Sequence, residues 1–467
     1  MPLRLPSTGR ALPLTALVLA TGLVTPAASS GAAPEDPASR LPRDAEIARM
    51  VEAVDPRGVQ RSIAKLASFG TRHTLSSQDD PARGIGAARD WLYQEFSAIA
   101  ARSGGRMTVE KQSFVQPVSS RIPVPTVITN VVATLRGTQA ESAGRHYVVS
   151  GHYDSRCSDV MNATCDAPGA NDDASGVAVA LEAARVMAPH TFDATVVFMA
   201  VAGEEQGLYG SGYYAEQAKT NGVDIQGMFT NDIVGSAEGE NGEAPGEVRV
   251  FSEGVPTTET PEQAATRRST GGENDSTSRQ LARFVRDAAT VYTPRMDAML
   301  VYRRDRYLRG GDQIPFLERG YPAIRFTEVH EEYAHQHQDI RVEDGVQYGD
   351  LLKFVDFDYT ARVARVNVAS LASLARAPQA PKGAGIRTTR LTNDTDLRWD
   401  ADPAPDIAGY EVVWRDSTEP LWTHARYVGD VTEYTVEGRS KDNHQFGVRA
   451  VDRAGHRSPV SHPRPVS

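Results

Sequence analysis

Four segments of this chain carry acidic residues, three of them directly after apolar runs, and the first also holds a histidine. They are His146-Tyr-Val-Val-Ser-Gly-His152-Tyr-Asp154, Asn171-Asp172-Asp173, Val196 through Glu204-Glu205, and Phe229-Thr-Asn-Asp232. A cluster of carboxylates brought together without counter-charge repels itself strongly, so a bound divalent cation is the natural partner. Imidazole and carboxylate without thiolate suit zinc first, with manganese or cobalt as replacements. In His152-x-Asp154 the two side chains of an extended chain share one face, which lets Asp154 hold the ring nitrogen that does not bind metal. Adjacent carboxylates at Glu204-Glu205 point apart, so one can bind metal while the other accepts protons. That division of labour is the chemistry of hydrolysis by a metal-activated water. Asp173 reads as the N-cap of a helix starting at Ala174 rather than as a ligand.

The elements that must position these residues alternate. Strand-like runs at Val127–Leu135, His146–Ser150, Ala194–Ala202, Ile225–Thr230 and Ala323–Phe326 are separated by helical patterns at Ala174–Met187 and Ser278–Ala289. Ahead of them, Asp80-Pro81 opens an amphipathic helix that Ser103-Gly104-Gly105 ends, and Asp350–Ala375 reads as a long final helix. Short β-rich runs between helices predict an α/β fold, a mostly parallel mixed sheet flanked by helices. In such a sheet, groups just beyond the carboxyl ends of the strands converge on one crevice. The stretch Ser236–Ser278, rich in Gly, Glu, Ser and Thr, reads as insertion and surface loop with one strand-like piece, Glu247–Ser252. After residue 376 the composition changes to a Pro/Ala/Gly linker over 377–385. A period-two pattern then predicts a small all-β immunoglobulin-like sandwich over 386–467.

The blocks His152-Tyr-Asp154-Ser155, Gly169-Ala-Asn-Asp172-Asp173-Ala-Ser-Gly176 and Gly203-Glu204-Glu205-Gln-Gly207-Leu-Tyr-Gly-Ser211 resemble, in that order, the secreted dinuclear zinc aminopeptidases of the bacterial leucyl aminopeptidase and aminopeptidase Y type. The resemblance covers roughly 45–375. It implies two Zn2+ per chain, with Asp172 bridging them, Glu205 and a late histidine on one, and His152 and Asp232 on the other. It further implies a metal-bridging hydroxide as nucleophile, Glu204 as general base and Asp154 as the partner of His152. The late histidine is chosen from His330-Glu-Glu-Tyr-Ala-His335-Gln-His337-Gln-Asp339. The family places an Asp four residues after it, which selects His335, then His337, then His330. Arg309-Gly-Gly-Asp312-Gln-Ile-Pro-Phe316 resembles the family's acidic Asp-His-x-Pro-Phe loop, with Gln313 at the His. Relatives of this broad type also include carboxypeptidases and glutaminyl cyclases, and a non-catalytic binding protein on the same fold is a further alternative. Trp399, Gly409-Tyr410 through Trp414 and Phe446 through Asp452 resemble the fibronectin type III repeat, whose role could be contact with a polymer or cell surface.

Composition narrows the rest. Sixty acidic against fifty basic residues give a net charge of −10, which argues against nucleic acid as a partner. Two cysteines cannot make a disulfide scaffold, but Cys157 and Cys165 can make one bridge beside the cluster. A basic start, the apolar run Ala11–Val24 and small residues to about 33 read as a secretory signal over 1–33. The run is too short to span a membrane, so the expectation is a secreted protein without stable membrane insertion. The catalytic domain then covers 34–376, its partners are peptide or protein N-termini, and the protein is expected to be a monomer.

Overall fold

The structure is a computed structural model describing Asp36–Pro37 and residues 41–467; the signal segment 1–33 lies outside the described residues. Its centre is an eight-stranded mixed sheet. The strands in chain order are β1 (Met107–Gln116), β2 (Thr126–Leu135), β3 (Arg145–His152), β4 (Thr195–Val201), β5 (Asp224–Asn231), β6 (Glu247–Ser252), β7 (Asp297–Val301) and β8 (Ala323–Thr327). Their spatial order is β7-β6-β8-β5-β3-β4-β2-β1. β3 runs parallel to both β4 and β5, β8 is parallel to β5 and β7 to β6, while β8–β6, β4–β2 and β2–β1 pair antiparallel. The expected mostly parallel mixed sheet is therefore present.

Every residue of β4 is buried because both faces of the sheet are covered. Successive side chains alternate between two cores. Val196, Phe198 and Ala200 face the helices Ala174–Met187, Thr277–Tyr292 and Phe357–Arg376, whereas Val197, Met199 and Val201 face Tyr209–Thr220 and Phe316. The small residues at the front of helix Ala174–Met187 let it sit against the sheet. A Cβ on Gly151 would come within 2.3 Å of the Gly176 backbone, and one on Gly176 within 2.0 Å of the Asn231 carbonyl oxygen. This close approach sets the helix start directly behind the ends of β3 and β5.

The structure departs from the sequence reading in the more polar elements. Glu247–Ser252 is a member of the main sheet, with Val248, Val250 and Phe251 buried, so Ser236–Ser278 is only partly surface loop. Within that stretch Pro261–Thr270 forms a helix with a Thr260/Gln263 capping box and no buried residue, which left it no apolar period to read. The edge strands β1 and β7 mix charged or exposed residues with half-buried ones, and the sequence pattern missed both. Two amphipathic helices that the pattern did not pick out, Ala45–Glu52 and Pro56–Ala67, come first; the helix expected from Asp80-Pro81 starts at Ile85, after a turn region, and the last helix at Phe357, capped by Asp356.

Beyond residue 384 the chain forms the core of two four-stranded sheets, closing on Trp399, Tyr410, Trp414, Phe446 and Val448. They are joined to helix Thr277–Tyr292 by polar contacts. Buried Asp275 pairs with Arg283 at 3.0 Å and Arg415 at 2.7 Å, and the Trp422 indole N–H donates to Gln280 at 3.0 Å. Among the described residues no helix is long and apolar enough to cross a membrane.

Candidate metal centre

Register places the chemistry. His152 is paired with Val201 across β3 and β4, Ser150 with Thr230 across β3 and β5, so the residues following each strand emerge side by side. Gly203, at φ +78°, turns the chain from β4 into the short helix Glu204–Gly207, a conformation that favours glycine. Asp154, fully buried, accepts the amide protons of Glu204 at 3.3 Å and Glu205 at 3.1 Å and the Thr74 hydroxyl at 3.0 Å. Its carboxylate lies 3.6 Å from His152 Nδ1, and its carbonyl oxygen 3.2 Å from the same nitrogen. Asp173 caps helix Ala174–Met187 through the Gly176 amide and also accepts the His152 amide at 2.9 Å. It belongs to the scaffold, as the sequence suggested.

Two donor sets result. His152, Glu204 and Asp232 form one, and Asp172, Glu205 and His337 the other. Asp172 also joins them: its Oδ1 is 3.1 Å from His152 Nε2 and its Oδ2 is 2.9 Å from His337 Nε2. Glu205 Oε1 stands 3.1 Å from His337 Nε2, and Asp232 Oδ1 3.9 Å from His152 Nε2. Buried Asp172 Oδ1 and Glu205 Oε1 find no hydrogen-bond donor among the described residues although ring nitrogens are close. Carboxylate oxygens and imidazole nitrogens converging on one point are what a cation site requires, so this donor set fits zinc.

The late histidine is a correction. His335 stacks its ring on Phe354 with 3.6 Å between centroids, and burial lowers its pKa; it does not reach the cluster. His337 does, with its Nε2 at 2.9 Å from Asp172 and 3.1 Å from Glu205, and its backbone adopts the left-handed φ of +56°. Asp339, the residue used to choose by spacing, instead anchors this loop to Ser158 through two hydrogen bonds of 3.0 and 3.3 Å. His330 lies beside the Glu238–Gly239 and Gly242–Glu243 hairpin, and Tyr333 is 54% exposed.

Several positioning residues carried no signal of their own in the sequence. Arg325, buried in β8, pairs with Asp232 Oδ2 at 2.7 Å. Asp350 accepts the amides of Asn171 at 2.8 Å and Asp172 at 2.7 Å, and burial pushes its own carboxyl up to about 7. Gln336 donates to Asp172 Oδ2 at 3.2 Å, and Arg156 meets Glu205 Oε2 at 3.2 Å and His337 Nδ1 at 2.7 Å. Each is legible only once distant segments are brought together. Gln313 and Asp312 are fully buried and do not line the cleft themselves; burial pushes Asp312 up to about 7.

Electrostatics separates the two glutamates. Burial, with the charges of Asp232, Glu205 and Asp312, raises Glu204 well above the usual carboxylate range against the pull of His152. Asp172 goes the other way: burial opposes its charge, but His337 and His152 outweigh it and hold it well below. For His337, burial is overcome by Glu205 and Asp172, which raise it to about 10. The carboxylates thus compete for a positive charge at the ring, the place a metal ion would take. The cluster floors a cleft of about 420 Å³.

Comparison with known proteins is decisive at the family level. The model of Peptidase family M28 matches residues 130–345, the span that holds all of these donors. A probable zinc metalloprotease of Leptosphaeria maculans is 51% identical over 421 residues, 90% of this chain and 97% of that protein. The chain belongs to peptidase family M28. A second relative, a probable zinc metalloprotease of Pyrenophora tritici-repentis, is 49% identical over 91% of this chain and 88% of its own. The M28 fold is also that of the LapA aminopeptidase of Legionella pneumophila, at TM-score 0.50 and 18% identity over 76% of this chain and 80% of that one. The aminopeptidase of Aneurinibacillus sp. strain AM-1 gives 0.51 and 16% over 71% and 96%. As an M28 zinc metalloprotease, the protein is a hydrolase that uses zinc.

Proposed function

We propose that this zinc metalloprotease is a two-zinc aminopeptidase that releases N-terminal residues from peptides. The observation that carries the reading is the Asp172 carboxylate, whose two oxygens face ring nitrogens of different donor sets at 3.1 and 2.9 Å. His152 and Asp232 would hold one ion, Glu205 and His337 the other, and Asp172 both. Bound zinc supplies Lewis acidity toward the scissile carbonyl and lowers the pKa of the attacking water. Glu204, with a carboxylate that burial disposes to carry a proton, takes the proton from that water and delivers it to the leaving amine. Glu204 and Asp232 also offer negative charge to a free N-terminal ammonium. Asp154 orients His152 and fixes the start of the Glu204–Gly207 helix.

We further propose export by the 1–33 segment, consistent with the paired Cys157 and Cys165, and a fibronectin type III role for the C-terminal sheets in contact with a polymer or cell surface. A monomer without nucleic-acid partners is the expected state. The test is metal content measured alongside hydrolysis of aminoacyl-nitroanilides and N-blocked peptides, before and after chelation and zinc return. About two zinc per chain and chelator-sensitive release from free N-termini support the reading. One zinc, or cleavage of N-blocked substrates alone, overturns it.

A further inference from the structure

The metal cleft is lined by as many guanidinium groups as carboxylates. Asp172, Glu204, Glu205 and Asp232 face Arg121, Arg156, Arg306 and Arg309. On the dinuclear reading above, on which this inference rests, two divalent ions cancel the four carboxylates, and the arginines are left over. Their other acidic partners are few. Glu331 is shared by Arg306 and Arg309, each at 3.0 Å, and by Arg249 at 2.7 Å. Arg121 donates to the Glu205 carbonyl at 2.9 Å, and Arg156 leans on Glu205, a residue assigned to zinc. Arg306 is further braced by Asp305 at 3.2 Å and is nearly buried, whereas the Arg309 side chain, in the cleft lining, is 33% exposed, with Glu331 as its acidic partner among the described residues. A concave site lined by one sign of charge focuses its field on what enters it.

We infer that this cleft selects substrates carrying a carboxylate within one residue of the scissile bond, and that Arg309 is its principal contact. A guanidinium at a site of this kind binds a carboxylate bidentately, with a geometry that neither water nor an amide reproduces. Two sources share that chemistry: an acidic side chain on the substrate, and the free C-terminal carboxylate of a short peptide. A groove lined by Arg303, Arg304, Asp305 and Tyr307 continues from Arg306 and Arg309, so guanidinium groups outnumber carboxylates there.

The experiment compares two isosteric pairs on the zinc-loaded full chain. Glu-p-nitroanilide against Gln-p-nitroanilide reads the side-chain source, and Leu-Gly against Leu-Gly-amide reads the C-terminal source. The charged member of at least one pair should be favoured in kcat/KM by about tenfold to a hundredfold, the range of one hydrogen-bonded charge. That ratio should shrink with added salt. Arg309→Gln should bring the ratio toward unity with zinc content unchanged, and Arg309→Glu should invert it. Calorimetric binding of glutarate against glutaramide supplies a readout that needs no turnover, and Arg309→Gln should weaken glutarate alone. If the salt effect is absent and both pairs agree within about twofold while zinc-dependent hydrolysis persists, the carboxylate inference is wrong and the peptidase reading stands. If no peptide is cleaved, the peptidase reading fails, and glutarate binding still decides whether Arg309 holds a carboxylate.

Discussion

The two halves of the metal centre are built differently. His152 and Asp232 stand at the ends of adjacent parallel strands, with Arg325 and Asp154 locked behind them in fully buried positions. His337 rides on a loop that reaches the cluster through a left-handed residue and through contacts with another loop, at Ser158 and Arg156. A strand end is fixed by a ladder of backbone hydrogen bonds and by cores on both faces, so its position follows from local pattern. A loop is fixed by a few side-chain contacts that only the folded chain supplies. One half of the site should therefore be rigid and tolerant, and the other adjustable and fragile.

The largest effect expected falls on the residues common to both halves. On the proposed two-zinc reading, Asp172→Asn should abolish activity and release both ions, because its two oxygens face both donor sets. Glu204→Gln should lower kcat by about 10²- to 10⁴-fold, the range for a lost general base, with both zinc ions still bound by elemental analysis. Retained turnover in Glu204→Gln would remove Glu204 from the chemistry and the proton route with it.

The contrast between the halves is sharpest at the late histidine. His337→Ala should cost one zinc per chain and most of the activity, whereas His335→Ala should keep both ions, since His335 only stacks on Phe354. Stoichiometry measured on the two variants side by side checks this. The opposite pattern would restore the assignment made by spacing to Asp339 and would mean that the loop adopts another path.

This is also where the sequence stopped being legible. His152, Glu204, Glu205 and Asp232 follow apolar runs, and alternation along a buried strand predicts where such residues emerge, whereas Asp172 sits in the loop just before helix Ala174–Met187. The central strands and the long helices were readable for the same reason: their apolar period is strong because both sheet faces are covered. β1, β7 and helix Pro261–Thr270 lie where one face meets water, and the period there is weak. Three histidines in eight residues, at 330, 335 and 337, cannot be ranked by local pattern, because the loop's path is set by contacts with Ser158 and Arg156 far away in sequence. Arg325 and Asp350 bind partners 93 and 178 residues away, a pairing that no local period encodes.

On the sheet side, Arg325→Gln leaves Asp232 buried without its ion-pair partner. Zinc affinity at the His152 and Asp232 site should fall about 10- to 100-fold, the usual cost of losing a group that orients a ligand. Competition with a chelator of known affinity reads this, and the Glu205 and His337 site should hold its ion at the same chelator concentration. Equal loss from both sites would mean that the halves are mechanically one unit.

The smallest effect tests the fragile half from outside the cluster. Cys157 and Cys165 are bonded, and the loop they close carries Ser158, which holds Asp339, and lies next to Arg156, which meets His337. Replacing both cysteines by serine should lower global stability by about 2–3 kcal/mol on the chain-entropy account of so short a loop. The more telling expectation concerns where the loss appears. The ion held by Glu205 and His337 should dissociate several-fold faster, because the Ser158–Asp339 tether loses its brace, while the ion held by His152 and Asp232 should keep its rate, because nothing in β3 or β5 depends on that loop. Sequential zinc release, followed by a colorimetric chelator in the wild type and the double variant, separates the two rates. A uniform change in both would place the disulfide's role in global stability alone and dissolve the distinction between a strand-held and a loop-held metal.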